Sequence, residues 1–102
     1  MSNSPTVVLF GRLGANPELK YTPKQEPICT FSIAENIQGS ERPVWHKVVV
    51  WGKNGEDCNL HLKKGSPVFV RGQKVIKKYQ TEDGLKTYEE VNAETVGFPW
   101  SR

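Results

Sequence analysis

Apolar residues along this chain recur mostly with a period of two, in short runs separated by turn-forming clusters. From Thr6 to Leu13 the run is rich in β-branched and aromatic residues, and glycines at 11 and 14 predict a bulge or bend rather than a flat strand. Asn16-Pro17 and Tyr21-Thr22-Pro23 mark a turn region. Ile28 to Glu35 alternates, with Cys29, Phe31 and Ile33 on one face and Thr30 and Ser32 on the other, as a half-buried strand requires. Gln38 to Pro43 reads as an exposed loop. Val44 to Trp51, dense in valine and tryptophan, is the strongest strand of the chain.

After Gly52 the pattern changes. A short helix is predicted from Asn54 or Gly55 through Leu62, with acids in its first turn and Lys63-Lys64-Gly65 ending it at a glycine cap. Pro67 to Gln73 returns to strand. Val75 to Gln80 and Thr87 to Val96 then flank Thr81 to Lys86, where Asp83-Gly84 signals a hairpin. The expected fold is therefore all-β: a five-stranded Greek-key barrel with one short helix between strands 3 and 4, the OB-fold. SH3-like barrels are the nearest competitor but usually lack that helix.

At 102 residues the chain is read as a single domain, with residues 1–5 and 99–102 as loose termini. A core of this size is modest, and oligomerisation commonly supplements it. Mean hydropathy is −0.56, and no apolar run nears the roughly 20 residues of a bilayer span, so no membrane association is expected. The opening Met-Ser-Asn-Ser-Pro-Thr lacks a basic stretch followed by an apolar one, which points to the cytoplasm. Cys29 and Cys58 form no C-x-x-C pair and are expected to be reduced and structural. The net charge is only +3, but Arg42 to Lys86 holds ten basic residues against four acids. Such a segment fits a polyanionic partner, although a face of solvated lysines has the same composition.

Alternation along the strongest strand puts Trp45, Lys47, Val49 and Trp51 on one face and His46, Val48 and Val50 on the other. If the second set points into the barrel, two indoles flank a cation on the outside. That is the combination unpaired bases need: π-faces for stacking and positive charge for the backbone. The same spacing would also serve tryptophans packed in the core or in a subunit interface. Lys77 and Tyr79 repeat the motif on the hairpin, with Lys74, Lys78 and Lys86 nearby. Catalytic motifs are wanting. Gly52-Lys53 lacks the upstream glycine and following Ser or Thr of a P-loop, and Gly11-Arg-Leu-Gly14 is no dinucleotide fingerprint. Cys58, His61, Cys29 and His46 have no spacing that enforces a zinc site. No enzyme activity, cofactor or metal is expected.

Taken in order, several segments resemble the bacterial single-stranded DNA-binding protein family. They are Val8-Leu9-Phe10-Gly11-Arg12-Leu13-Gly14, Asn16 to Pro23, Phe31-Ser32-Ile33-Ala34, Trp45 to Lys53, Leu62 to Ser66, Val68 to Gln73, and Asp83-Gly84 before Tyr88. The resemblance covers most of residues 6 to 98. It implies an OB-fold that coats single-stranded DNA without a sequence code, in replication, recombination and repair, usually as a homotetramer, with a dimer also compatible. It carries the family's stacking aromatics onto Trp45, Trp51 and Tyr79, and the family's interface histidine onto His46. Arg12, Lys47, Lys53, Arg71, Lys77 and Lys78 would neutralise phosphates, and the protein would sit with the nucleoid. Two departures stand out. The loop after Ala34 offers no aromatic, which implies a smaller footprint or weaker binding. The chain stops at Gly97-Phe98-Pro99-Trp100-Ser101-Arg102 without the family's acidic tip, as a short member or a DNA-binding core would, so partners recruited through a tail are not expected. Two other readings use the same barrel: a primosome-type accessory protein acting mainly through protein contacts, or an RNA-binding or substrate-docking module of a larger enzyme.

Overall fold

Six strands and one helix follow one another: β1 Thr6–Leu13, β2 Glu18–Tyr21, β3 Pro27–Glu35, β4 Val44–Trp51, α1 Lys53–His61, β5 Pro67–Thr81 and β6 Gly84–Gly97. The computed structural model describes residues 5–98. The expected looseness of residues 1–4 and 99–102 lies outside the described residues, while Pro5 accepts a backbone hydrogen bond from the Lys74 amide at 3.0 Å.

β1 runs antiparallel to β5 from Thr6 to Arg12 and meets β3 at Arg12 and Leu13. β3 pairs with β4, β4 with β6 in parallel at Val48 and Val49, and β6 with β5. Five strands thus close in the order β1-β3-β4-β6-β5, with the helix after the third of them. This is the expected OB-fold. The sixth strand, β2, is additional to it. Glu18–Tyr21, for which no strand was expected between the turn signals at Asn16-Pro17 and Tyr21-Thr22-Pro23, pairs with β3 through Leu19 and Cys29. It lies between two prolines and offers only one apolar residue to the interior, so no periodicity could announce it. β1 changes partner where Gly11 presses on β3: a Cβ there would overlap the Ala34 carbonyl.

The hairpin is longer than expected. β5 is one strand of 15 residues rather than two runs, with a register shift between Arg71 and Gly72 that bends it. Pairing continues to Thr81 and Gly84, leaving only Glu82 and Asp83 in the turn. The helix starts one residue earlier than expected and ends at His61. Gly65 does not cap it. Leu62 leaves the helix in extended conformation, and Gly65 lies in the turn that leads to β5. The reason is burial: Leu62 must turn into the barrel, where it is nearly inaccessible.

The core follows the period-two positions. Leu9 and Leu13, Cys29, Phe31 and Ile33, Val48 and Val50, Val68 and Val70, and Val91 meet inside, and Cys58 and Leu62 close one end. Burial of these side chains at about 25 cal/mol per Å² is the main stabilising contribution. It also forces the alternate residues of β3, β4, β5 and β6 outward.

Candidate functional site

Residues paired across a sheet project to the same side, so the register defines an outer face. Trp45, Lys47, Val49 and Trp51 of β4 lie opposite Ala34, Ser32, Thr30 and Ile28 of β3. On the other flank β6 contributes Tyr88, Glu90 and Asn92 to this face, and β5 contributes Gln73, Val75, Lys77 and Tyr79. Trp45 is 56% exposed and Trp51 46%, whereas Val48 and Val50 are buried. Both indoles are therefore outside the barrel, which settles the alternative of a core position against it.

Trp45 rests on Gly14, where any Cβ would overlap the six-membered ring. Together with Ala15, Asn16, Thr30, Ser32 and Lys47 it lines an open groove of about 390 Å³. The Lys47 ammonium lies 3.1 Å from Glu90 Oε2 and 5.2 Å from the centroid of the Tyr88 ring. Tyr88 packs against Tyr79 with centroids 5.6 Å apart and planes at 57°, a favourable tilted aromatic pair. Trp45, Lys47, Tyr88 and Tyr79 so form one band from the groove to the hairpin, with Trp51 at the far end of β4. Sequence reasoning did not single out Tyr88 as a site residue. The hairpin register, which sets Lys77 opposite Tyr88, was the signal that would have found it.

The other predicted residues are distributed unevenly. Lys77 shares the face of Tyr79 and Tyr88, but Lys78 points to the opposite side of the hairpin, with Ile76 and Leu85. Arg12 stands opposite Ala34, one strand beyond Trp45, and donates to the Gly65 carbonyl at 3.0 Å. Lys53 starts the helix, 3.6 Å from Asp57. Arg71 lies opposite Val8 on the wall formed by β1 and β5, away from the aromatic band. His46, half-buried on the side opposite the tryptophans, has Nε2 2.9 Å from Glu35 Oε1.

Among the described residues no three metal-ligating side chains gather into a site. Cys29 and Cys58 are free and buried, and burial pushes their thiols up to about 11 and about 12 respectively. They are protonated, unreactive core residues at neutral pH. No helix of the described residues is long and apolar enough to cross a membrane. What the outer face presents is flat aromatic surface interleaved with cations over an open groove. That chemistry holds a planar ring system attached to an anionic chain.

The sequence model described as "Single-strand binding protein family" matches residues 5–99. A single-stranded DNA-binding protein of Neisseria meningitidis serogroup A is 39% identical over 87 residues, covering 78% of this chain and 50% of that protein. Single-stranded DNA-binding protein 3 of Listeria innocua is 40% identical over 98 residues, covering 90% of this chain and 61% of its own length. A Bacillus cereus single-stranded DNA-binding protein is 38% identical over 98 residues, covering 90% and 58%. The chain thus spans between half and three-fifths of the length of these relatives.

Proposed function

The chain belongs to the single-strand binding protein family, and from that premise we propose that it binds single-stranded DNA without sequence preference, stacking bases on its outer aromatic face. The observation that supports this most is the exposed band of Trp45, Tyr88 and Tyr79, with Trp51 beyond it, on the outside of the barrel. Each stacked base contributes roughly 1–3 kcal/mol, irrespective of its identity, because every base has a π-face. Lys77 and Lys86, on the hairpin face that carries Tyr79, would meet the phosphates. Among the described residues neither has a carboxylate within 4.0 Å. Arg12 lies beside Trp45 at the groove end of the band, and Lys53 lies beyond Trp51 at the opposite end of β4. Such binding serves replication, recombination and repair in the cytoplasm by keeping unpaired strands covered; no catalysis is involved.

The protein acts as a homo-oligomer on this reading. Val8 and Phe10 on β1 and Phe69 on β5 form an apolar outer wall, with Phe10 65% exposed, and the start of β1 is paired on its β5 side. A second copy would cover this wall and leave the aromatic band free, and His46 would contribute to a further contact in a tetramer.

The test is a titration of intrinsic tryptophan fluorescence with oligo-dT at low and high salt. Quenching that weakens as salt rises, and is absent with duplex DNA, is expected. No quenching at low salt would reject the reading in favour of an accessory protein acting through protein contacts.

A further inference from the structure

Glu90 is the one buried polar or charged residue among those described, 8% exposed, and it lies on the face assigned to a polyanion. A carboxylate in that position opposes phosphate binding unless its charge is already matched. Lys47 matches it at 3.1 Å, and the same ammonium stands against the Tyr88 ring, whose partner is Tyr79. Moving Lys47 to a phosphate would strand a buried charge, which is among the costliest changes a protein can undergo. The pair Lys47–Glu90 also has no net charge to offer a phosphate, and it releases no counterion when a strand binds.

We propose that Lys47 is not a phosphate contact but half of a neutral strut, Lys47–Glu90, that holds Tyr88 in place as a base-stacking platform. The inference rests on the nucleic-acid reading of this face. It removes one cation from the phosphate contacts and adds one aromatic to the stacking set. Cation–π attraction fixes the ring from one side and the tilted contact with Tyr79 fixes it from another. The counterion-releasing charges of the band are then those without a carboxylate partner, Lys77 and Lys86.

The test compares salt slopes of oligo-dT binding for the full chain and its variants. Each phosphate contact contributes about −0.7 to the slope of log K against log salt on a single strand. K77M is expected to flatten the slope by about 0.7 per bound protomer, and the double variant K47M/E90Q to leave it unchanged. Flattening of the double variant as large as that of K77M would overturn the strut. Should the double variant fail to fold by circular dichroism, E90Q alone decides: it releases Lys47 and should steepen the slope, and an unchanged or shallower slope refutes the proposal. Y88L should weaken binding roughly 5-fold or more at constant slope, with Y88F restoring it. Full affinity in Y88L would remove the platform. Wild-type chain that fails to bind oligo-dT at low salt rejects the nucleic-acid reading itself, and the strut's role with it. Binding by wild type together with a flattened double variant rejects the strut alone.

Discussion

Replacing Gly14 with alanine should disable a stacking platform without touching the fold. The new Cβ would stand 2.6 Å from Cη2 of Trp45, against about 3.5–4.0 Å for a relaxed carbon–carbon contact. The ring must therefore retreat by about 1 Å or more. It is free to do so, because these atoms are the far end of a half-exposed side chain rather than backbone. Gly14 is not among the residues with positive φ, so alanine meets no backbone strain there. Stability then balances two small quantities. Restricting the unfolded chain stabilises by about 0.4–1 kcal/mol, and the lost ring contacts cost about 0.1–0.2 kcal/mol each. The melting temperature should move by less than about 5 °C. Binding is different, since one displaced platform forfeits part of its roughly 1–3 kcal/mol, and oligo-dT affinity should fall about 5-fold or more. The control is Trp45→Ala, in whose background Gly14→Ala should have no further effect on binding. An equal loss in both backgrounds, or a fall in melting temperature of about 10 °C, would show that Gly14 acts through the fold instead.

Three further outcomes follow from the same geometry. Trp51→Ala should weaken oligo-dT binding by about 1–3 kcal/mol with little change in circular dichroism, whereas unfolding would mean that the indole supports the barrel. Phe10→Glu should reduce the molecular mass seen by sedimentation equilibrium while leaving the protomer folded, because it places a charge on the apolar wall of β1 and β5; an unchanged mass would move the subunit contact elsewhere. The thiols of Cys29 and Cys58 ionise at about 11 and about 12 when folded, against 9.0 when exposed. Above pH 9 the unfolded chain therefore binds fewer protons than the folded one, and their contribution to stability, complete below that pH, is lost as pH rises towards 11–12. Urea midpoints between pH 8 and 10.5 should fall more steeply for the wild type than for a C29A/C58A variant, and parallel curves would contradict the assignment.

Much of this protein is determined locally, by which residues alternate. Burial of Cys29, Phe31 and Ile33, of Val48 and Val50, and of Val68 and Val70 follows from a period of two, so strand identity and the shared face of Trp45 and Trp51 could be read along the chain, while the structure decided that this face is the outer one. The hairpin could be read in the same way, its Asp83-Gly84 turn signal acting within a few positions, and so could the presence of the helix, though not its end, where burial of Leu62 overrode the glycine cap expected at Gly65. Non-local pairing decided the rest. β2 exists because β3 had an edge to offer Leu19, and its four residues hold no period of their own. Lys77 and Lys78 are neighbours in sequence but face opposite sides of the hairpin, so of the lysines clustered in a linear count only Lys77 and Lys86 stand on the face of Tyr79. Arg71 belongs to the same basic stretch yet lies on the far wall with Val8. The meeting of Lys47, Tyr88 and Glu90 depends on a parallel contact between strands separated by some forty residues. The alternation of a strand says which face a side chain takes; only the closure of the barrel brings the faces of distant strands side by side.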